Sequence, residues 1–210
     1  MAEITWHGAT IAWARVADVG DFTEADLAAM GERQLARYRQ LSGARAAGFL
    51  TGRALIRTLV VGLGGGDDVP LDSSCGRCGE DHAAPRTPGF VLSVSHAEDL
   101  VAVAVSRGSA PLGVDLERNS AEDRVAELGP MFPAGSAPDL AGWTRIEAAV
   151  KADGRGVEID PNTVRLEPAR SFPPAAGPLV WSAVLPGRRS PLQVATLPGP
   201  DGHTLSAARG

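Results

Sequence analysis

The stretch between Phe90 and Glu117 constrains the fold of this chain more than any other. Phe90-Val91-Leu92-Ser93-Val94-Ser95 is a short apolar run, His96-Ala97-Glu98-Asp99 a polar break, and residues 100–106 a second apolar run. Both runs are rich in valine and have the length of strands rather than helices. A break of four residues predicts a chain reversal, so the two runs pair antiparallel. Residues 112–117 predict a third strand. Local antiparallel pairing argues against an alternating strand–helix–strand fold with a parallel sheet.

Helical signals flank these strands. Asp21 or Thr23 is placed to cap a helix running to about Gln40. Residues 44–61 predict a second helix with an apolar face and arginines opposite, ending at Gly62. Gly64-Gly65-Gly66 then opens a long loop to Gly89 that carries both cysteines. Residues 120–128 predict a short helix. Asp139 predicts the cap of a helix to about Lys151, closed by Gly154 and Gly156. The Pro-rich remainder predicts short strands near 163–167, 179–185 and 192–197, and residues 9–16 one more. The expected class is α+β, in two halves of similar size, 1–110 and 111–210, each with helices and antiparallel strands.

Composition narrows the function. The formal net charge is −5, which argues against a general nucleic-acid binder. Arg33, Arg37, Arg39, Arg45, Arg53 and Arg57 crowd one segment and leave room for a phosphate or an acidic partner. No apolar run is long enough to span a membrane, and the N-terminus lacks the pattern of a signal peptide. A cytoplasmic location is expected, with the two cysteines reduced.

Four constellations are candidates to carry chemistry. Asp115 and Glu117 stand two apart in Gly113-Val114-Asp115-Leu116-Glu117, so a strand puts both on one face while Val114 and Leu116 turn to the core. They read either as a solvated strand end with Arg118 as partner or as ligands for Mg²⁺, which takes one or two carboxylates and completes its shell with water and phosphate. Lys151 is the only lysine among twenty Lys and Arg residues. It lies four residues after Glu147, on the same helix face, as an ordinary i,i+4 pair or as part of a site. His96, placed at the turn, and the nearby serines are donors suited to a phosphate. Cys75-Gly76-Arg77-Cys78, with His82 as a third candidate, has the spacing of half a zinc site but no second cysteine pair.

Taken together, these motifs resemble the 4′-phosphopantetheinyl transferase superfamily, in its two-subdomain, surfactin-synthetase-activating class. The resemblance rests on Ser93-Val94-Ser95-His96, on Gly113-Val114-Asp115-Leu116-Glu117, and on Trp143-Thr144-Arg145-Ile146-Glu147-Ala148-Ala149-Val150-Lys151, in that order. Phe49-Leu50-Thr51-Gly52-Arg53 and the cysteine loop extend it over about residues 30–167. It implies two similar halves related by a pseudo-twofold axis, with coenzyme A bound between them and Mg²⁺ on its pyrophosphate. It implies transfer of 4′-phosphopantetheine to a serine of an acyl- or peptidyl-carrier protein, with release of 3′,5′-ADP. Asp115, Glu117 and Glu147 would be the metal carboxylates. Glu147 is also the candidate base, and Lys151 the amine on the pyrophosphate. His96 would hold the 3′-phosphate with help from Ser95 and Arg53. A monomer is expected.

Three positions depart from the family pattern. Ile146, Ala84 and Gly48 stand where family members carry two lysines and an arginine. Arg145, Arg86 and Arg45 are the nearest replacements in sequence. The lost charges keep open a non-catalytic relative that only binds carrier proteins. The cysteine loop keeps open a small zinc-binding interaction protein.

Overall fold

The computed structural model describes residues 1–210 except 17, 19 and 170–176, and all side chains in that span but that of His82. Among the described residues the chain is α+β, with helices on antiparallel sheets, and no helix is long and apolar enough to cross a membrane. Backbone contacts divide it into two compact units, Met1–Ser109 and Ala110–Gly210.

The first unit opens with β1 (Ala2–Trp6) and β2 (Ala9–Arg15). They are joined by His7 and Gly8, both at positive φ (47° and 74°), the geometry of a two-residue hairpin turn. The sequence reading had missed β1. The helix expected up to Gln40 is two helices, α1 (Glu24–Ala29) and α2 (Glu32–Arg39). The break falls at Gly31, whose φ of 132° is closed to ordinary side chains. There the Met30 carbonyl accepts from Leu71 N at 2.8 Å. Asp26 closes the start of α1 by accepting from Thr23 N at 2.8 Å.

α3 (Gly43–Gly62) is the long helix of this unit. Leu55, Ile56, Leu59 and Val60 recur at helical spacing and are buried with Ala12, Val101, Val103 and Val105. The expected loop to Gly89 contains a hairpin, β3 (Asp72–Ser74) with β4 (Asp81–Arg86), and both cysteines sit in its turn. β5 (Phe90–Ala97) and β6 (Leu100–Arg107) complete a four-stranded sheet in the order β1-β2-β6-β5. His96 pairs with Val101 inside β5, so it stands on a strand and not at the expected turn.

The second unit begins with β7 (Leu112–Arg118), followed by the short α4 (Glu122–Ala126) and then α5 (Leu140–Asp153). Asp139 caps α5, its Oδ1 accepting from Gly142 N at 2.6 Å, and Gly154 ends it in the left-handed region. β8 (Arg165–Pro168), β9 (Val180–Val184), β10 (Leu192–Leu197) and β11 (His203–Arg209) follow, in a five-stranded sheet ordered β7-β11-β10-β9-β8. β11 was not anticipated, although it lies between β7 and β10. α5 packs on this sheet through Ile146, Ala149 and Val150, against Ile159, Leu185, Leu192 and Val194. Gly113 makes the approach possible, because a Cβ there would collide with the carbonyl oxygen of Ala148 and lie 2.7 Å from Ala152 N. Thr144 on α5 and Ser206 on β11, both buried, share a hydrogen bond of 2.8 Å across the same contact.

Candidate active site

Strand alternation sets the first carboxylates. Gly113 lies under α5, so Asp115 and Glu117 share that face of β7, while Val114 and Leu116 turn to the opposite face and are fully buried. Asp115 is only 4% exposed, which excludes the solvated strand end. Helical spacing brings Glu147 and Lys151 to one side of α5. Lys151 Nζ donates to Asp115 Oδ1 at 2.7 Å, a bond between helix and strand. The lysine is therefore more than half of a surface i,i+4 pair. Glu117 pairs not with Arg118 but with Arg124 of α4, whose Nη2 lies 3.2 Å from Glu117 Oε2. Nothing in the spacing of seven residues marked Arg124 for that role.

The electrostatics follow from this crowding. Burial, and next the charge of Asp115, push the Glu117 carboxyl above its ordinary value, against the opposing charges of Arg124 and Lys151. Burial and then Asp115 raise Glu147 likewise, with Lys151 offsetting and Glu117 adding to the rise. Two carboxyls thus hold their protons more tightly than usual around a part-buried aspartate–lysine bond.

Among the described residues, no three His, Cys, Asp or Glu side chains converge closely enough to hold a metal ion by themselves. A closed three-carboxylate cage is therefore not preformed. Asp115, Glu117 and Glu147 would hold Mg²⁺ only in a looser form, one or two carboxylates at a time, with water and phosphate completing its shell. Burial first, and the charge of Asp115 second, raise the Glu117 and Glu147 carboxyls, and a cation beside them would oppose the second of these effects.

The first unit holds a groove of about 410 Å³, whose lining includes Arg37, Arg45, Gly48, Phe49, His96 and Glu98. His96 stands on the α3 side of β5, and a Cβ at Gly48 would lie 3.4 Å from its Cδ2. Gly48 thus leaves space for the imidazole. The other expected donors stand elsewhere. Ser95 is buried, and alternation turns it to the face opposite His96. Arg53, expected on the polar side of its helix, is buried. Its Nε donates to Gln34 Oε1 at 2.7 Å, its guanidinium lies 4.1 Å over the Phe49 ring, and burial pulls its pKa down to about 10. Arg86 is tied to Asp72 at 2.6 Å and to Ser74 within the β3–β4 hairpin.

In the turn of that hairpin, hydrogen bonds from Cys78 and Arg77 lower the Cys75 thiol pKa. The side chain of His82, the third candidate ligand there, lies outside the described residues. No family model matches the chain, and no curated protein matches it.

Proposed function

We propose that this chain is a Mg²⁺-dependent 4′-phosphopantetheinyl transferase that moves the phosphopantetheine group of coenzyme A to a serine of an acyl- or peptidyl-carrier protein. The observation that carries the reading is the bond from the partly exposed Lys151 to the buried Asp115, flanked by Glu117 and Glu147. Acids and an amine at these places match the motif resemblance, and phosphoryl chemistry needs little beyond in-line positioning and charge stabilisation.

In this reading the serine oxygen attacks the β-phosphorus, and the bond from that phosphorus to the 3′,5′-ADP oxygen breaks. Glu147 takes the serine proton. Its raised carboxyl pKa makes it a stronger base than an exposed glutamate once ionised. Lys151, held by Asp115, keeps an ammonium beside the phosphates and stabilises the negative charge of the departing ADP. Asp115 orients Lys151. Mg²⁺, held by Asp115 with Glu117 or Glu147, would neutralise the pyrophosphate. His96 and Arg45 are proposed for the 3′-phosphate.

A non-catalytic, carrier-binding relative is the second reading, and the surroundings of the lost charges favour it. Ile146 is 4% exposed, and Arg145 stacks on Trp181 at 4.5 Å. Arg86 is engaged by Asp72. Chromatographic detection of 3′,5′-ADP separates the two. Release that needs both coenzyme A and an apo-carrier, and stops in Asp115→Ala, supports transfer. Coenzyme A binding without release supports the second reading.

A further inference from the structure

The second unit contains a cavity of about 870 Å³ to which the proposed transfer assigns no role. Its size is that of a small-molecule site. It is lined by parts of α5, β8 and β9 and by the segment ahead of α5. Gly142 and Arg145 of its lining sit roughly 150° around α5 from Glu147, so the cavity opens on another side of the helix than the acidic cluster.

Its apolar wall includes Phe132, Ile146 and Trp181, and its polar groups are mostly donors. The Arg145 side chain is only 13% exposed. Its Nε donates to the Ala141 carbonyl at 2.9 Å, and its guanidinium stacks on the Trp181 ring at 4.5 Å. The nearest carboxylate oxygen, Asp139 Oδ1, is 3.9 Å from Nη2, too far for a hydrogen bond, and already caps Gly142 N. The two Nη atoms therefore make no hydrogen bond among the described residues, and burial lowers the pKa of the group. The Trp181 ring lines the cavity too, and its Nε1 is buried without an acceptor among the described residues. Arg165 adds a second cation to the lining, against Asp139 as the one acid among its described residues. A largely buried guanidinium with an open fork beside an apolar wall defines the complement of one kind of ligand.

We infer that this cavity binds a small amphipathic carboxylate, with the carboxylate on the Nη fork of Arg145 and the apolar body against Phe132, Ile146 and the Trp181 ring. The guanidinium fork matches a carboxylate in plane and spacing. A neutral amide of the same shape offers one acceptor and no charge.

The test uses the full chain without coenzyme A, so its outcome is independent of transfer. The probes are 3-phenylpropionate and 3-phenylpropionamide, followed by the indole N–H resonance of Trp181, assigned with Trp181→Phe. The carboxylate is expected to shift that resonance saturably and to bind about tenfold or more tightly than the amide, as expected for one charge-assisted hydrogen bond. Arg145→Gln is expected to remove the preference while Asp115→Asn keeps it. Equal binding of acid and amide in the wild-type chain overturns the assignment without any variant. So does a Trp181 resonance that millimolar carboxylate leaves unmoved, or an unchanged preference in a folded Arg145→Gln.

Discussion

Gly113→Ala isolates the contact on which the acidic cluster depends. The added Cβ would stand 2.7 Å from Ala152 N and 3.0 Å from the Ala148 carbonyl carbon, besides colliding with the Ala148 oxygen. Non-bonded heavy atoms prefer about 3.5–4.0 Å, so β7 and α5 must part by roughly 1 Å. All three obstacles are backbone atoms of a helix, and no side chain can rotate away. Overpacking typically costs about 1–3 kcal/mol, and a backbone clash belongs at the upper end, about 3 kcal/mol. With a urea slope of about 2 kcal/mol/M, the midpoint should fall by about 1.5 M. The same shift pulls Lys151 from Asp115, now 2.7 Å apart, and a misplacement of this size should cost about a hundredfold in transfer rate. Urea titration by circular dichroism measures the first effect, and ADP release the second. Gly62→Ala, at the last residue of α3, meets nothing within 4 Å and should leave stability unchanged or raise it by at most about 0.5 kcal/mol. A Gly113→Ala protein as stable and active as wild type would refute the packing argument.

Other predictions test the electrostatics. The Glu147 carboxyl is raised in the folded chain, so its contribution to stability is full below the unfolded pKa and is lost as pH rises through the folded one. Glu147→Gln should therefore flatten the decline of stability with rising pH and raise the urea midpoint at pH 7, while transfer falls by about a hundredfold or more. An unchanged pH profile of stability would count against the burial of that carboxyl. Lys151→Met leaves Asp115 buried without its ammonium and should destabilise by about 3 kcal/mol, whereas Lys151→Arg should recover part of that loss, both read by thermal melting. Gln34→Leu strands the buried Arg53 guanidinium in the first unit and should cost about 2 kcal/mol, measured the same way.

The strands from Phe90 to Glu117 and the α5 helix were legible because each is a local pattern with punctuation at its ends: valine-rich runs, an Asp cap and a Gly stop. β1 and β11 were not: β1 is a mostly exposed edge strand beside β2, with little apolar pattern of its own, and β11 is held between β10 and the distant β7. The break at Gly31 was hidden because Glu32 and the arginines after it continue a helical composition, while the bend itself rests on a hydrogen bond to Leu71. For the site, spacing put Asp115 with Glu117 and Glu147 with Lys151, each pair within one element. Their meeting across strand and helix needed the missing side chain at Gly113, which pattern alone does not explain. The arginines mislead most in sequence. Their charge is visible there, but whether each faces Gln34, Asp72 or Trp181 is decided by packing.

The intact mass of a carrier domain tests the central claim most directly. A panel of apo-acyl- and apo-peptidyl-carrier domains is incubated with this protein, coenzyme A and Mg²⁺. The account predicts that at least one domain gains the mass of one phosphopantetheine, that its serine-to-alanine variant gains none, and that Asp115→Asn abolishes the gain. A mass gain that persists undiminished in a folded Asp115→Asn protein would contradict it, as would an unmodified panel in the presence of protein that binds coenzyme A.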